Sequence, residues 1–555
     1  MGATIVRRRL GAAVAALFVL RLLLSLLRVG PLVVADEVGY LTNARVLAGG
    51  QPALMNRAPF YRGGYSAVIA PILAVVHDPR VAYALVLVVN AALAACVLPL
   101  LYLFLRRGFR VPASTAFRSS LVAAVYPSVT TYTQVALSEN LLVPLTLVWL
   151  VAFAYLLDTR PGRSQTVWVT VFGAAAAALL AVHGRMIVAV VATAAALALA
   201  VVARRLAWTS GAVAAVVLGA GIVGVHFFDA YLIRRNYGGQ APDEVGRRLG
   251  NLESVGGVGA TLRNLLGQSW YIAVATLGLV VAAALADIPA LVRAVRRRRV
   301  GTPHLLTIFL IVTTAGLLAV SALSFRTLDR PDMLIYGRYV DVVVPPLLAL
   351  ALARLAVGRT PAVRVAAVLG GTTALVAVLR ATTSPPGSAN RWNVASLPFV
   401  TFNLGAGVVV GAGIVATVAF GAFVLLRRAA PVLVLPALLL AFVVTTAVVE
   451  RNPIASTNRG WYGDGWTSPQ RAAGGTHRVA FDLDNPDGLY IYQWFLPHDR
   501  IVLFSGGAAR PPAAYVLSTT DWAARHRALD PHVVWRDVSH EHRGHALIRL
   551  GRPLR

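Results

Sequence analysis

The chain contains no lysine: all 51 of its basic residues are arginine. That absence reflects a preference for GC-rich codons and carries no mechanism. Cysteine is almost as scarce, since Cys96 stands alone. A single thiol excludes an intramolecular disulfide and a cysteine metal cluster, and inside an apolar run it reads as a small buried hydrophobe. Charged residues make up only 13% of the chain against 57% hydrophobic, with mean hydropathy +0.69. Soluble domains rarely reach such values. No phosphate-cradling P-loop occurs, and nothing suggests the nucleotide-sugar fold of cytosolic transferases.

The apolar residues form long runs. Each crossing of the hydrocarbon needs roughly 20 of them in a helix. Such runs fall near 10–29, 81–105, 116–136, 141–157, 166–182, 186–203 and 208–228, then 270–292, 304–323, 341–357, 362–380, 400–426 and 431–449. They predict an all-α polytopic membrane protein with about 13 transmembrane helices. The first run resembles a signal peptide, but no small-residue cleavage site follows, so it reads as a retained span.

A net charge of +28 would suit nucleic acid only if it formed a continuous solvated face. Here it sits in short clusters between apolar runs, which excludes a nucleic-acid partner and instead orients the helices. The clusters are Arg7–Arg9, "RRGFR" at 106–110, Arg160 with Arg163, Arg204 with Arg205, "RAVRRRR" at 293–299, Arg359 with Arg364, and Arg427 with Arg428. They occupy every second connection. This register predicts a multi-pass protein of the plasma membrane with a cytoplasmic N-terminus. Segments 30–80, 137–140, 183–185, 229–268, 324–340, 381–399 and 450–555 then face outside. Two domains are expected: a transmembrane domain over 1–449, including the extracytoplasmic loop 30–80, and an extracytoplasmic C-terminal domain over 450–555. In the latter, "HRVAFDLD", "LYIYQWFLP", "RIVLFSGG" and "AAYVLSTTDW" read as strands of a small α/β or α+β fold.

Candidate chemistry gathers on the outward segments. Asp36 and Glu37 follow the first span, in a loop holding Tyr40, Phe60, Tyr61, Tyr65, Arg45 and Arg62. Such a loop is expected to lie along the interface as short helices, with its polar groups at headgroup depth. A carboxylate fixed there, partly desolvated, can take a proton from a hydroxyl. Equally, the acidic pair can be a helix start favoured by the helix dipole. Glu139 in "LSEN" either positions an acceptor or caps the helix after Ser138. Arg21 and Arg28, seven residues apart on the first span, face other helices or snorkel. The loop 229–268, with "IRRNYGGQAPDEVGRRLG", is either a cover that moves in turnover or an ordinary solvated loop. The "SHEHRGH" stretch at 539–545 reads as solvated surface rather than a metal site.

An acidic pair after the first span followed by "xxYxxxAxxL" resembles the GT-C type glycosyltransferases. Protein O-mannosyltransferases and aminoarabinose lipid A transferases belong to that superfamily. "PFYRGGYSAVIAPILAVV" at 59–76, "ALSENLLVPL" at 136–145, "HGR" at 183–185 and "YGRY" at 336–339 add to the likeness, which spans roughly residues 10–350. The resemblance implies a sugar donor on polyprenyl phosphate and an acceptor that is an extracytoplasmic glycan, lipid or protein. It further implies a catalytic base at Asp36, with Glu37 as the second member of the pair, supporting an acceptor or metal. Some relatives use a divalent ion, and the sequence leaves the metal open.

A departing polyprenyl phosphate needs a cation. Arg338 in "IYGRYVD", beside Tyr339, is the first candidate and Arg185 in "VHGRM", beside His183, the second. For both, interfacial snorkelling is the competing account. Glu139, His183, Arg62 and Tyr40 are expected to support the acceptor. The expected reaction is inverting hexosyl or pentosyl transfer, with mannose or arabinose as the sugars. A transporter or lipid flippase would instead need paired broken helices and charges near mid-membrane. A noncatalytic envelope-assembly protein is the third reading.

Overall fold

The computed structural model describes residues 3–551 apart from 56–57, 160–161, 240–243, 357, 359–360, 388, 398–404, 463–465, 476, 485–487, 506–510 and 540–543. Arg160, Arg359 and most of "SHEHRGH" therefore lie outside the described residues. The molecule is a helical bundle carrying a small mixed sheet at one end.

Among the described residues, nine helices are long and apolar enough to cross a membrane: Pro79–Gly108, Glu139–Asp158, Arg163–Val182, Gly184–Val202, Trp208–Asn236, Thr302–Leu323, Ala362–Ala381, Ala406–Ala429 and Pro431–Val449. The bent pair Val255–Ala275 and Leu279–Arg296 makes up to ten. The expected thirteen is therefore not reached, and four runs account for the difference. Helix Ala3–Ser25 carries Arg7, Arg8, Arg9 and Arg21 and is too charged to count. Run 116–136 divides into Ala113–Ala124, Pro127–Thr131 and Tyr132–Gln134, because Pro127 forces Tyr126 out of helical geometry. Run 270–292 bends by 107° at Gly278, whose left-handed φ of 74° stops the helix. Run 341–357 contributes only Val344–Leu355, which begins at Pro345 and Pro346.

Aromatic and alanine-rich faces knit the bundle. Trp149 stacks on Phe172 at 5.7 Å and lies 4.7 Å from Phe309, while its indole donates to Thr193 Oγ1 at 2.8 Å. Arg21 on the first helix and Arg28 just beyond it face protein. Arg21 is fully buried and donates to Ala124 O at 2.6 Å, and Arg28 meets Gln134 and Glu450. Cys96 is exposed on the helix surface, contrary to its expected burial.

The tail forms a five-stranded sheet in the order β2-β1-β3-β5-β4, with β1 Arg478–Asp482, β2 Arg500–Phe504, β3 Tyr515–Thr519, β4 Pro531–Arg536 and β5 His545–Leu550. The first three strands are parallel; β5 runs antiparallel to β3 and β4. Three of the four expected strands are present, but "LYIYQWF" is helix Leu489–Phe495. Ile491, Tyr492, Trp494 and Phe495 are all buried, so no polar face survives to reveal the helical period.

That short helix covers loop 30–80. Arg45 Nη1 donates to Gln493 O at 2.7 Å, Gln493 Oε1 accepts from Leu54 N at 2.5 Å, and Tyr462 OH donates to Pro31 O at 2.7 Å. Helix Val34–Leu47 is consequently buried from Glu37 to Val46 on every side. An amphipathic helix lying on an interface was expected; protein covers its second face instead.

Candidate active site

The site is assembled by three segments. Asp36 comes from the first turn of helix Val34–Leu47, Glu139 opens helix Glu139–Asp158, and Arg338 sits in the turn before Val344–Leu355. That turn is tightly determined. Asn393 O accepts from Gly337 N at 2.8 Å and Arg338 N at 3.0 Å, while Asn393 Nδ2 donates to Asp332 Oδ2 at 2.7 Å. Asp341, three residues on, accepts from Tyr271 OH at 3.0 Å and Tyr132 OH at 3.2 Å. A Cβ on Gly337 would lie 2.0 Å from the Tyr271 ring, so only glycine lets this turn approach.

Arg338 is 4% exposed and divides its guanidinium between two carboxylates. Nε donates to Glu139 Oε1 at 2.9 Å, Nη2 to Glu139 Oε2 at 3.2 Å, and Nη1 pairs with Asp36 Oδ2. The other Asp36 oxygen, Oδ1, accepts from Tyr61 OH at 2.7 Å. Glu139 also takes Arg185 Nη2 at 3.1 Å. A chain Asp36–Arg338–Glu139–Arg185 thus alternates in sign, the arrangement burial demands. Against a burial penalty that lowers it, Glu139 and Asp36 hold the Arg338 guanidinium well above its ordinary value.

Asp36 and Arg338 border a cavity of about 480 Å³, also lined by Tyr40, Arg62, His183, Arg248, Arg330 and Tyr339. Asp36 is the one carboxylate among its described lining residues, and its side chain is 27% exposed. Tyr40 OH donates to Ser138 Oγ at 2.9 Å; Arg62 lies 3.3 Å from Asp229. Burial and Arg185 drive the His183 imidazole well below its ordinary value, so it enters the cavity wall uncharged. Among the described residues no three His, Cys, Asp or Glu side chains gather as metal ligands.

Three expected site residues do not line the cavity: Glu139, which lies behind Arg338, Glu37 and Arg185. Glu37 is fully buried and accepts from Leu32 N at 2.6 Å, Val33 N at 2.7 Å, Ala136 N at 2.5 Å and Tyr83 OH at 2.7 Å. It fastens the first span's exit to the segment before Glu139, and burial pushes its carboxyl up to about 7. Arg185 is fully buried behind Tyr339, whose ring lies 4.5 Å from its guanidinium. Glu139, expected as an acceptor contact or a cap, instead bridges the two arginines. Conversely, Tyr61, named only among the aromatics of its loop, and Arg248, Arg330 and Asn393, not singled out, also line the cavity. Arg248 lies inside the loop 229–268 that was read as either a cover or an ordinary solvated loop, and Arg330 just upstream of "YGRY".

This arrangement, a multi-pass helical bundle with a small terminal sheet, is shared with solved structures. Among solved structures, ArnT from Cupriavidus metallidurans bound to undecaprenyl phosphate matches over 100% of both chains, with TM-score 0.56 and 15% identity. The apo state of ArnT from the same organism matches over 97% of each chain, with TM-score 0.54 and 15% identity. At that identity the likeness is one of fold. No family model matches the chain, and no curated protein does.

Proposed function

We propose that the protein is an integral-membrane glycosyltransferase. It would move a hexosyl or pentosyl unit from a polyprenyl-phosphate donor to a hydroxyl on an extracytoplasmic glycan, lipid or protein. The observation that carries this reading is one cavity holding a lone carboxylate, Asp36, against Arg338, with Arg248 and Arg330 on the same wall. Its volume suits a small-molecule site. The fold neighbour ArnT, crystallised with undecaprenyl phosphate, supports the donor class.

The guanidinium geometry suggests the order of events. Nε and Nη2 of Arg338 are committed to Glu139, whereas Nη1 meets only Asp36. A donor phosphate entering the cavity takes over Nη1 and releases one Asp36 oxygen. Asp36 then accepts the proton of the acceptor hydroxyl, and the freed oxygen bonds to the anomeric carbon. The bond from that carbon to the phosphate oxygen breaks, and its electron pair leaves with polyprenyl phosphate. The new charge falls on Arg338, held in place by Glu139. Attack opposite the leaving group inverts the anomeric centre. The sheet domain over 450–555, tied to loop 30–80, would hold the acceptor, and the N-terminus would be cytoplasmic.

The test is donor consumption by purified protein in liposomes, offered mannosyl and arabinosyl polyprenyl phosphates with envelope extract as acceptor. Wild type should consume a donor, and Asp36→Asn should slow it at least about 100-fold without loss of fold. Equal rates would remove Asp36 as base; no consumption of any donor by folded wild type would remove the reading itself.

A further inference from the structure

At the end of the bundle remote from the cavity lies a second, larger hollow, and we infer that it binds an anionic phospholipid of the facing leaflet. Glu139 and Asp158 are the two ends of one helix, about 28 Å apart at 1.5 Å per residue. The first belongs to the catalytic network and the second lines this groove, which has a volume of about 940 Å³. The two sites are therefore separated by most of the hydrocarbon thickness.

The groove exists because helix Ile187–Val202 turns a face of alanine towards its neighbours. Ala192, Ala196 and Ala200 follow each other at four-residue steps, and Leu156 and Phe309 form the opposing walls. From Ala192 to Ala203 the groove runs roughly 16 Å, about half of a 30 Å hydrocarbon core. It is thus as deep as one leaflet and apolar throughout that depth.

Its mouth is cationic. Arg204 and Arg205 line the groove, and Arg296–Arg299 connect two other lining residues, Val295 and Val300. All six arginines are exposed, and none of their guanidiniums has a protein partner among the described residues. The sole carboxylate lining the groove, Asp158, is already paired with Arg110 at 3.1 Å. An apolar slot one leaflet deep, opening on unmatched cations at headgroup level, is complementary to acyl chains below a phosphate. A zwitterionic lipid would meet the slot but bring no net charge to the arginines.

The experiment uses the full-length protein in detergent, titrated with mixed micelles containing phosphatidylglycerol or phosphatidylcholine, and reads the unfolding temperature and lipid retention by native mass spectrometry. Wild type should retain phosphatidylglycerol and be stabilised by it more than by phosphatidylcholine. Arg204→Gln/Arg205→Gln should weaken the phosphatidylglycerol response more than about tenfold. Ala196→Phe fills the slot and should abolish retention of phosphatidylglycerol while keeping all the charge. Equal responses to the two lipids, an unchanged preference in the double arginine variant, or retention unaffected by Ala196→Phe would each overturn the inference. So would a dimer that forms through this face and excludes lipid. Should the arginine variant fail to fold, the Ala196→Phe comparison still decides.

Discussion

Arginine is handled in opposite ways at the two ends of the bundle. At the cavity end, Arg338 and Arg185 are buried and share Glu139, with Asp36 completing the chain of charges. At the remote end, Arg204, Arg205 and Arg296–Arg299 stand exposed with no counter-ion among the described residues. Desolvation explains the contrast. A guanidinium removed from water must recover its hydration from protein acceptors, at this site carboxylates, whereas one at the headgroup level keeps its water. The buried set is therefore stiff and costly to break, and the exposed set is available to ligands. The adjacent pair Asp36 and Glu37 repeats the division within a single helical turn: one faces the cavity, its neighbour is locked to backbone.

The strongest break in that contrast is Glu139→Ala. It leaves Arg185 and half of Arg338 buried without a counter-ion, and about 3–5 kcal/mol of stability should be lost. The unfolding temperature of the purified protein measures it, and a loss below about 1 kcal/mol would mean that the charge chain is not formed. Glu37 gives the next effect and a defined sign. Burial raises its carboxyl from 4.5 to about 7, so between those values the folded state keeps a proton that the unfolded chain has released. Its contribution is full below about pH 4.5, falls as pH rises to about 7, and is level above. The total is at most about 3 kcal/mol. Glu37→Gln should flatten that segment of the stability curve; an unchanged slope would show that the proton is held elsewhere.

The same contrast marks what could be read from the sequence. Apolar runs and alternating arginine clusters suffice for the class of fold, because both follow from the bilayer alone. Run lengths do not reveal a break whose cause is local, so one expected span divides at Pro127 and another bends at Gly278, while Ala3–Ser25 is set aside for its charge and Val344–Leu355 for its length. "LYIYQWF" was misread because a helix buried on all faces loses its period. In the site, Asp36, Tyr40, Arg62, His183, Arg338 and Tyr339 line one cavity. Glu37 and Arg185, expected in the same site, point away from it. Glu37 turns to the amides of Leu32, Val33 and Ala136 and to Tyr83, and Arg185 lies behind Tyr339, contacts that no spacing in the sequence encodes. Arg248 and Arg330 lay within segments already read as outward, without a motif to single them out.

Smaller effects sharpen the comparison. Tyr61 OH holds Asp36 Oδ1 at 2.7 Å, and on the proposed reaction Tyr61→Phe removes one hydrogen bond from the base. A loss of about 1 kcal/mol, or roughly fivefold in kcat/KM, is expected, with stability little changed. A loss of the size expected for Asp36→Asn would make the tyrosine a proton carrier rather than a support.

The smallest effect belongs to the remote end. Arg110 and Asp158 form an ion pair at 3.1 Å with side chains 76% and 44% exposed. Water and salt screen such a pair, and holding two mobile side chains together costs entropy, so its coupling should be about 0.2–1 kcal/mol. A double-mutant cycle of Arg110→Gln and Asp158→Asn, read by thermal unfolding in lipid-free detergent, isolates that term. A coupling above about 2 kcal/mol would place this pair in the same regime as Glu139 and Arg338. The remote arginines would then be structural cations like those at the cavity, and the division between the two ends of the bundle would disappear.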